Sequence, residues 1–166
     1  MSTASHLIAT FFYVGHLKPA PGTWGSLAAL PIGWALFTLG GLPLFSAGIV
    51  LACALGWWAT ALETKGKADH DPSEIVIDEV AGQWIALLPV MIGASHSGAG
   101  VLALWPGWVT AFVAFRLFDI TKLGPVGWAD RQYGPLGVML DDVIAGVFAA
   151  LVVGLGAYIS HGVLGV

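Results

Sequence analysis

Residues 19–62 run for 44 positions without a single Asp, Glu, Lys or Arg, residues 80–115 for 36 and residues 143–166 for 24. An α-helix rises about 1.5 Å per residue, so a hydrocarbon core about 30 Å thick takes roughly 20 apolar residues to cross, and about 17 at the lower limit. The first run is interrupted at its middle by LGGLP (39–43), where two glycines and a proline punctuate a helix. It predicts two helices, near 24–39 and 43–62, folded as a hairpin. The second run is broken by ASHSGAG (94–100) and predicts helices near 79–93 and 101–118, the former short enough to stop partway. The third has room for one helix, near 142–164. ASHLIATFFYVG (4–15) predicts a short N-terminal helix, interfacial or buried, and too short to cross. The expected fold is an all-α, polytopic membrane bundle of about five apolar helices with four to five crossings, in a single domain over residues 1–166.

The polar positions then orient the bundle. All sixteen charged side chains fall at Lys18, between Glu63 and Glu79, or between Arg116 and Asp142. Two crossings, two crossings and one crossing separate these segments, which places all of them on one face. Lys and Arg favour the cytoplasmic side, so that face is expected to be cytoplasmic. The opposite face receives short turns and the C-terminus, with His96 and His161 as its titratable side chains. Trp24, Trp105 and Trp128, near predicted helix ends, suit anchoring at the membrane interface or plain bulk within the bundle.

Composition agrees with a membrane protein. The chain is 57% hydrophobic and 10% charged, with mean hydropathy +0.85, against about 25% charged residues in an ordinary soluble domain. The formal net charge of −4 and the absence of a basic cluster exclude a nucleic-acid partner. Cys53 is the single cysteine, so no internal disulfide or cysteine-rich metal site can form. No basic residue precedes Lys18, which argues against a cleavable leader. Many of the 23 glycines lie within the apolar runs, and small residues let membrane helices approach closely.

Candidate chemistry lies where acids meet apolar runs. VIDEVAG (76–82) has a near-echo in LDDVIAG (140–146), each with two adjacent carboxylates before an apolar run. Each pair could simply cap a helix, since acids favour the positive end of the helix dipole. Adjacent helical residues point about 100° apart, so one pair cannot chelate an ion alone, but two pairs on neighbouring helices could share one centre. Gly82 and Gly146 would let those helix ends come together. FRLFDITK (115–122) adds Arg116, Asp119 and Lys122, with Arg116 and Asp119 also able to form a local i, i+3 ion pair. Asp78, Glu79, Asp119, Asp141 and Asp142, clustered at a membrane boundary, would repel one another without a cation. Oxygen-only ligands select a hard ion, naturally Mg²⁺, with Mn²⁺ or Ca²⁺ also suited. Arg116, Lys122 and Lys18 are then available for an anion, for which phosphate fits both the guanidinium fork and a metal. KPAPGTWGS (18–26) leads into the first helix with hydroxyls at Thr23 and Ser26, and a helix N-terminus can hold a phosphate or merely be capped. His70, in ADHDPSE, reads more readily as a solvated loop histidine than as an acid or base.

PGTWGS, IVIDEVAGQW, FRLFDITK and GVMLDDVIAG, in this order and spacing, resemble the phosphatidylglycerophosphatase A family from about residue 15 to residue 146. The resemblance implies hydrolysis of the terminal phosphate of phosphatidylglycerophosphate, giving phosphatidylglycerol and inorganic phosphate with Mg²⁺, in the bacterial inner membrane. It places Asp78, Glu79, Asp119, Asp141 and Asp142 at the family's acidic positions. Arg116 and Lys122 fall at its basic positions, and Thr23 and Ser26 in its N-terminal motif.

The mechanism expected is metal-assisted hydrolysis of a phosphomonoester. Asp78 or Glu79 with Asp141 or Asp142, and Asp119 as a further candidate, would hold one or two ions. Arg116 and Lys122 would stabilise charge on the phosphoryl oxygens. The nucleophile is water or the Asp119 carboxylate, and the residues do not choose between them. The rival class is a small divalent-cation transporter or channel component, because membrane carboxylates also line ion pathways. Acids at helix ends rather than at mid-membrane argue against it.

Overall fold

The computed structural model describes residues 2–67 and 71–163, the last three by backbone alone; His70 and the side chain of His161 lie outside it. Among the described residues the chain is helical throughout, without a strand. Four helices are long and apolar enough to cross a membrane. The elements are α1 (Thr3–Ala9), a 3₁₀ turn (Val14–His16), α2 (Pro21–Glu63), α3 (Ile77–Ser97), α4 (Trp105–Thr121, preceded by the 3₁₀ turn Val101–Leu104), α5 (Pro125–Asp130) and α6 (Pro135–Ala157).

The long α2 is the hairpin that LGGLP predicts. Gly40 and Gly41 leave helical geometry, Gly41 at φ 63°, ψ −159°, a region essentially restricted to glycine. The two arms pack antiparallel about this point: Gly33 lies against the Phe45 ring and Gly48 against the Leu36 side chain. With the hairpin counted as two arms, the bundle has five apolar helical segments.

Helix α3 differs from its expected bounds. It spans 21 residues rather than 15, enough for a crossing of about 31 Å. Ala94–Ser97 stay helical because Ser97 Oγ donates to the Gly93 carbonyl at 2.8 Å and His96 Nδ1 bonds the Ile92 carbonyl at 2.8 Å. The chain turns only at Gly98, at φ 67°. This helix is the axis of the fold: 72% of its apolar window is buried, against 22% for each of the other three. Trp84 on α3 sits between the hairpin arms, its Nε1 donating to the Ala29 carbonyl at 2.8 Å, while α6 packs along another side. There the echoing glycines meet. A Cβ on Gly146 would run into the Gly82 carbonyl, and one on Gly82 would lie 2.6 Å from the Asp142 carbonyl oxygen.

Helix α6 begins at Pro135, seven residues before its expected start. Asp141 and Asp142 therefore lie nearly two turns inside the helix and do not cap it. The other acid pair, Asp78 and Glu79, occupies the first turn of α3.

The N-terminal helix is shorter than expected. After Ala9 the chain turns left-handed through Phe11, Phe12 and Tyr13 (φ 45°, 58° and 67°). Thr10 organises the turn, its hydroxyl donating to the His6 carbonyl at 2.8 Å and accepting from the Tyr13 N–H at 3.1 Å. Gly15 passes so close to the Glu74 carbonyl that no side chain would fit. Ser5 Oγ donates to the buried Glu63 Oε1 at 2.7 Å and His6 Nδ1 lies 3.2 Å from its Oε2, tying α1 to the end of α2. The Val76 N–H donates to the Ala9 carbonyl at 2.9 Å, tying it to the start of α3. These contacts gather the charged segments at one end of the bundle.

Candidate functional site

At that end a cavity of about 260 Å³ opens between the start of α2, the start of α3, the end of α4 and the acid-bearing turn of α6. Asp78, Glu79, Asp119, Asp141 and Asp142 all face it, as do Arg116 and Lys122. Three helices thus bring together the acids of three separate motifs. Asp78, Asp119, Asp141 and Asp142 are each under 9% exposed.

Two carboxylate sets have the spacing of a cation site, with one oxygen from each residue within 4.8 Å of the others: Asp78, Glu79 and Asp142, and Asp119, Asp141 and Asp142. Asp142 belongs to both. Glu79 Oε2, Asp141 Oδ1 and Asp142 Oδ1 are buried without a hydrogen-bond partner, a costly condition for carboxylate oxygens. Hard, oxygen-only donors with orphaned lone pairs fit a cation such as Mg²⁺.

The basic side chains answer only part of this charge. Arg116 Nη1 lies 2.5 Å from Asp119 Oδ2 and 4.0 Å from Glu79 Oε1. It also reaches Ser26 Oγ at 3.5 Å, while that hydroxyl donates back to the Gly22 carbonyl at 2.9 Å. Arg116 Nε is buried and has no partner. Lys122 ends α4 in a left-handed conformation, φ 49° and ψ 42°, which costs a non-glycine residue about 1–2 kcal/mol. Its ammonium is held there by an ion pair with Asp141 and by Asp119 and Asp130, each at 3.3 Å. Burial works to lower the Lys122 pKa, but the hydrogen bond and charge of Asp141, with Asp142 and Asp119, outweigh it and hold the group above its ordinary value.

The N-terminal motif contributes less than expected. Lys18 is exposed, and neither it nor Thr23 lines the cavity. The wall there is Ala20, Pro21 and Gly22, because the chain turns at Ala20 (φ 59°) and α2 starts at Pro21. The Thr23 and Trp24 N–H groups both bond the Ala20 carbonyl, which leaves the helix N-terminus little to offer an anion. Ser26 reaches the site only through Arg116. A Cβ at Gly22 would overlap Glu79 Oε1 and approach Arg116 Nη1 to 3.2 Å, so any larger residue would displace the Glu79 carboxylate.

The sequence reading missed Asp71, Ser73 and Ile75, which form the wall contributed by the loop before α3. Asp71 follows His70 in ADHDPSE. Its signal was a carboxylate seven residues before an acid pair, too common in a charged loop to single out.

Residues 7–157 match the family model described as phosphatidylglycerophosphatase A. The chain is 37% identical to phosphatidylglycerophosphatase A of Escherichia coli K12 over 163 residues, covering 97% of this chain and 86% of that protein. It is 38% identical to the Haemophilus influenzae protein of the same name over 149 residues, covering 89% and 85%. A Bacteroides thetaiotaomicron protein named "Putative phosphatidylinositol-3-phosphatase" is 36% identical over 160 residues, covering 92% and 93%. No solved structure matches the chain.

Proposed function

As a member of the phosphatidylglycerophosphatase A family the chain is a phosphoric monoester hydrolase, and we propose that it hydrolyses phosphatidylglycerophosphate to phosphatidylglycerol and inorganic phosphate with Mg²⁺ as cofactor. The observation that carries this reading is the pair of carboxylate sets sharing Asp142 beside Arg116 and Lys122 in one cavity. Asp78, Glu79, Asp119, Asp141 and Asp142 would hold Mg²⁺, which when bound neutralises the acids and polarises the phosphoryl group.

The chain's own groups then divide the work. Arg116, with its unpartnered Nε, and Lys122 bind phosphoryl oxygens and stabilise the charge that accumulates on them in the transition state. Asp119 has both oxygens engaged, one by each of these cations. A doubly ion-paired carboxylate is a poor nucleophile, so Asp119 positions the two cations and water attacks phosphorus. The attacking water gives up its proton to bulk water. The ester P–O bond breaks, and the glycerol oxygen takes a proton from bulk water as it departs.

The position of the site suits a lipid. Ala20–Gly22 and the exposed Ile120 supply apolar lining to the cavity, and in this reading the acyl chains stay in the bilayer while the head group enters. Every Lys and Arg lies in the segments that gather at this end, which supports a bacterial inner-membrane enzyme with a cytoplasmic active site. The relatives' printed substrates are phosphomonoesters on lipid-borne polyols, glycerol in two cases and inositol in the third. Cation transport is less well supported, since no Asp, Glu, Lys or Arg occupies the middle of an apolar run.

The test is phosphate release from phosphatidylglycerophosphate in mixed micelles by the purified protein, with Mg²⁺ and then with excess chelator. Release that stops with chelator and returns with Mg²⁺ is expected. A folded protein that releases nothing, or is indifferent to chelator, refutes the proposal.

A further inference from the structure

The acids, Arg116 and Lys122 account for the phosphate, and Ala20–Gly22 with Ile120 supply apolar lining. One wall remains without a role: Asp71 and Ser73, carried with Ile75 on the loop between α2 and α3. Both polar residues are exposed, whereas the loop is anchored just behind them by buried Ile75 and Val76. Asp71 is outside both carboxylate sets that could hold a cation. It also borders a water-sized hollow of about 10 Å³ together with Asp130, Gln132 and Asp141, so it stands at the aqueous rim of the site. The main cavity, about 260 Å³, has room beyond a phosphate, enough for part of what the phosphate is esterified to.

We infer that Asp71 and Ser73 form a subsite for the free hydroxyl of the substrate's polyol head group. This rests on the substrate proposed above and extends it from the phosphate to the group that bears it. A carboxylate accepts a charge-assisted hydrogen bond from an alcohol, and a serine hydroxyl can donate to or accept from the same group. The carboxylate also repels phosphate. Arg116 and Lys122 draw the phosphoryl group to one wall and Asp71 excludes it from the other, so the head group enters in one orientation. Selectivity follows from the same contact, because a site built to hydrogen-bond a hydroxyl discriminates against an analogue without it.

The experiment compares phosphatidylglycerophosphate with the same lipid in which the free head-group hydroxyl is replaced by hydrogen. Wild type, Asp71→Asn and Ser73→Ala are assayed in mixed micelles with Mg²⁺, and inorganic phosphate is titrated as an inhibitor of each. Wild type is expected to prefer the hydroxyl-bearing lipid by about 10- to 100-fold in kcat/KM, the range of a hydrogen bond to a charged group. Asp71→Asn should lose most of that preference, mainly through KM, with Ser73→Ala intermediate; inhibition by inorganic phosphate should be unaltered in Ser73→Ala and unaltered or stronger in Asp71→Asn, which loses the repelling charge. Equal losses on the two lipids, or weakened phosphate inhibition, would assign Asp71 to the phosphate or cation machinery and overturn the subsite. Wild type that hydrolyses both lipids equally would also overturn it while leaving the phosphatase reading intact. Wild type that hydrolyses neither would end both.

Discussion

Replacing Gly82 with Ala adds one methyl group at the closest approach of α3 and α6. Its carbon would lie 2.6 Å from the Asp142 carbonyl oxygen and 2.5 Å from Phe115 Cε2, where ordinary contact begins near 3.4 Å. Neither neighbour yields easily: one is helix backbone, and Phe115 is fully buried. The helices must part by about 0.8 Å to restore contact with Asp142 alone. Overpacking of this kind costs about 1–3 kcal/mol, and the better helix propensity of Ala returns at most about 1 kcal/mol. The larger effect falls on activity, because the atom pushed away belongs to Asp142, the residue common to both carboxylate sets. A displacement of about 1 Å in reacting groups costs on the order of 100-fold in rate. Gly82→Ala should therefore release phosphate about 100-fold more slowly than wild type while remaining folded in detergent, with its unfolding temperature modestly lowered. Gly154→Ala, on α6 and with nothing within 4 Å of the added carbon, should keep full turnover. Assays at least ten degrees below each unfolding midpoint (roughly two to three transition half-widths for a protein this size) separate misplacement from unfolding. Turnover of Gly82→Ala within about threefold of wild type would refute the reasoning, because it would mean that Asp142 tolerates a shift which positioned catalysis should not.

Asp142→Asn should lower turnover at least about 100-fold and raise the Mg²⁺ concentration needed for half-maximal rate, read by metal titration of phosphate release. Arg116→Lys keeps the charge but loses the planar fork and the unpartnered Nε, so inhibition by inorganic phosphate should weaken about tenfold, measured as an inhibition constant. Gly41→Ala forces a side chain into φ 63°, ψ −159°; it should cost about 1–3 kcal/mol by thermal unfolding, with turnover of the remaining folded protein near normal. Mg²⁺ at 100 times its dissociation constant should stabilise the wild-type protein by about 2.7 kcal/mol without substrate, and Asp142→Asn should flatten that response.

The sequence carried the bundle and most of the site because both are written in strong contrasts. Runs of 44, 36 and 24 residues without charge leave few folds open, and a glycine pair beside a proline marks a hairpin plainly. The bounds of α3 were less legible. Ser97 and His96 look like loop residues, but both satisfy their polar atoms on the helix's own carbonyls. The start of α6 was hidden by YGPLGVM, which reads as a turn until Pro135 is placed as the first helical residue, where its missing N–H costs nothing. The left-handed turn at Phe11–Tyr13 had no local signal at all: three bulky residues adopt it because Thr10 and the packing of α1 on Glu63 and Val76 hold it. Of the proposed phosphate ligands, Arg116 and Lys122, named for their charge, line the cavity. Lys18, named for its charge, and Thr23, named for its motif, lie outside the cavity, where the turn at Ala20 leaves them.

The depth of the second acid pair separates the two explanations that the sequence left open. Helix capping requires acids in the first turn, where the N–H groups are unsatisfied and the dipole's positive end is near. Asp78 and Glu79 meet that condition. Asp141 and Asp142 are the seventh and eighth residues of α6, beyond the first turn to which the dipole effect is largely confined, and both are buried at the edge of an apolar bundle. Local helix energetics give no reason for two adjacent carboxylates there. Cationic neighbours give only half a reason: Lys122 pairs with Asp141, and Arg116 pairs with Asp119 and approaches Glu79, but neither forms an ion pair with Asp142 or Asp78. A chain selected for stability alone would gain by replacing Asp142 with an apolar residue of similar size. Its presence calls for a task that needs uncompensated negative charge, and the oxygen cage for a divalent ion proposed above is a task of that kind.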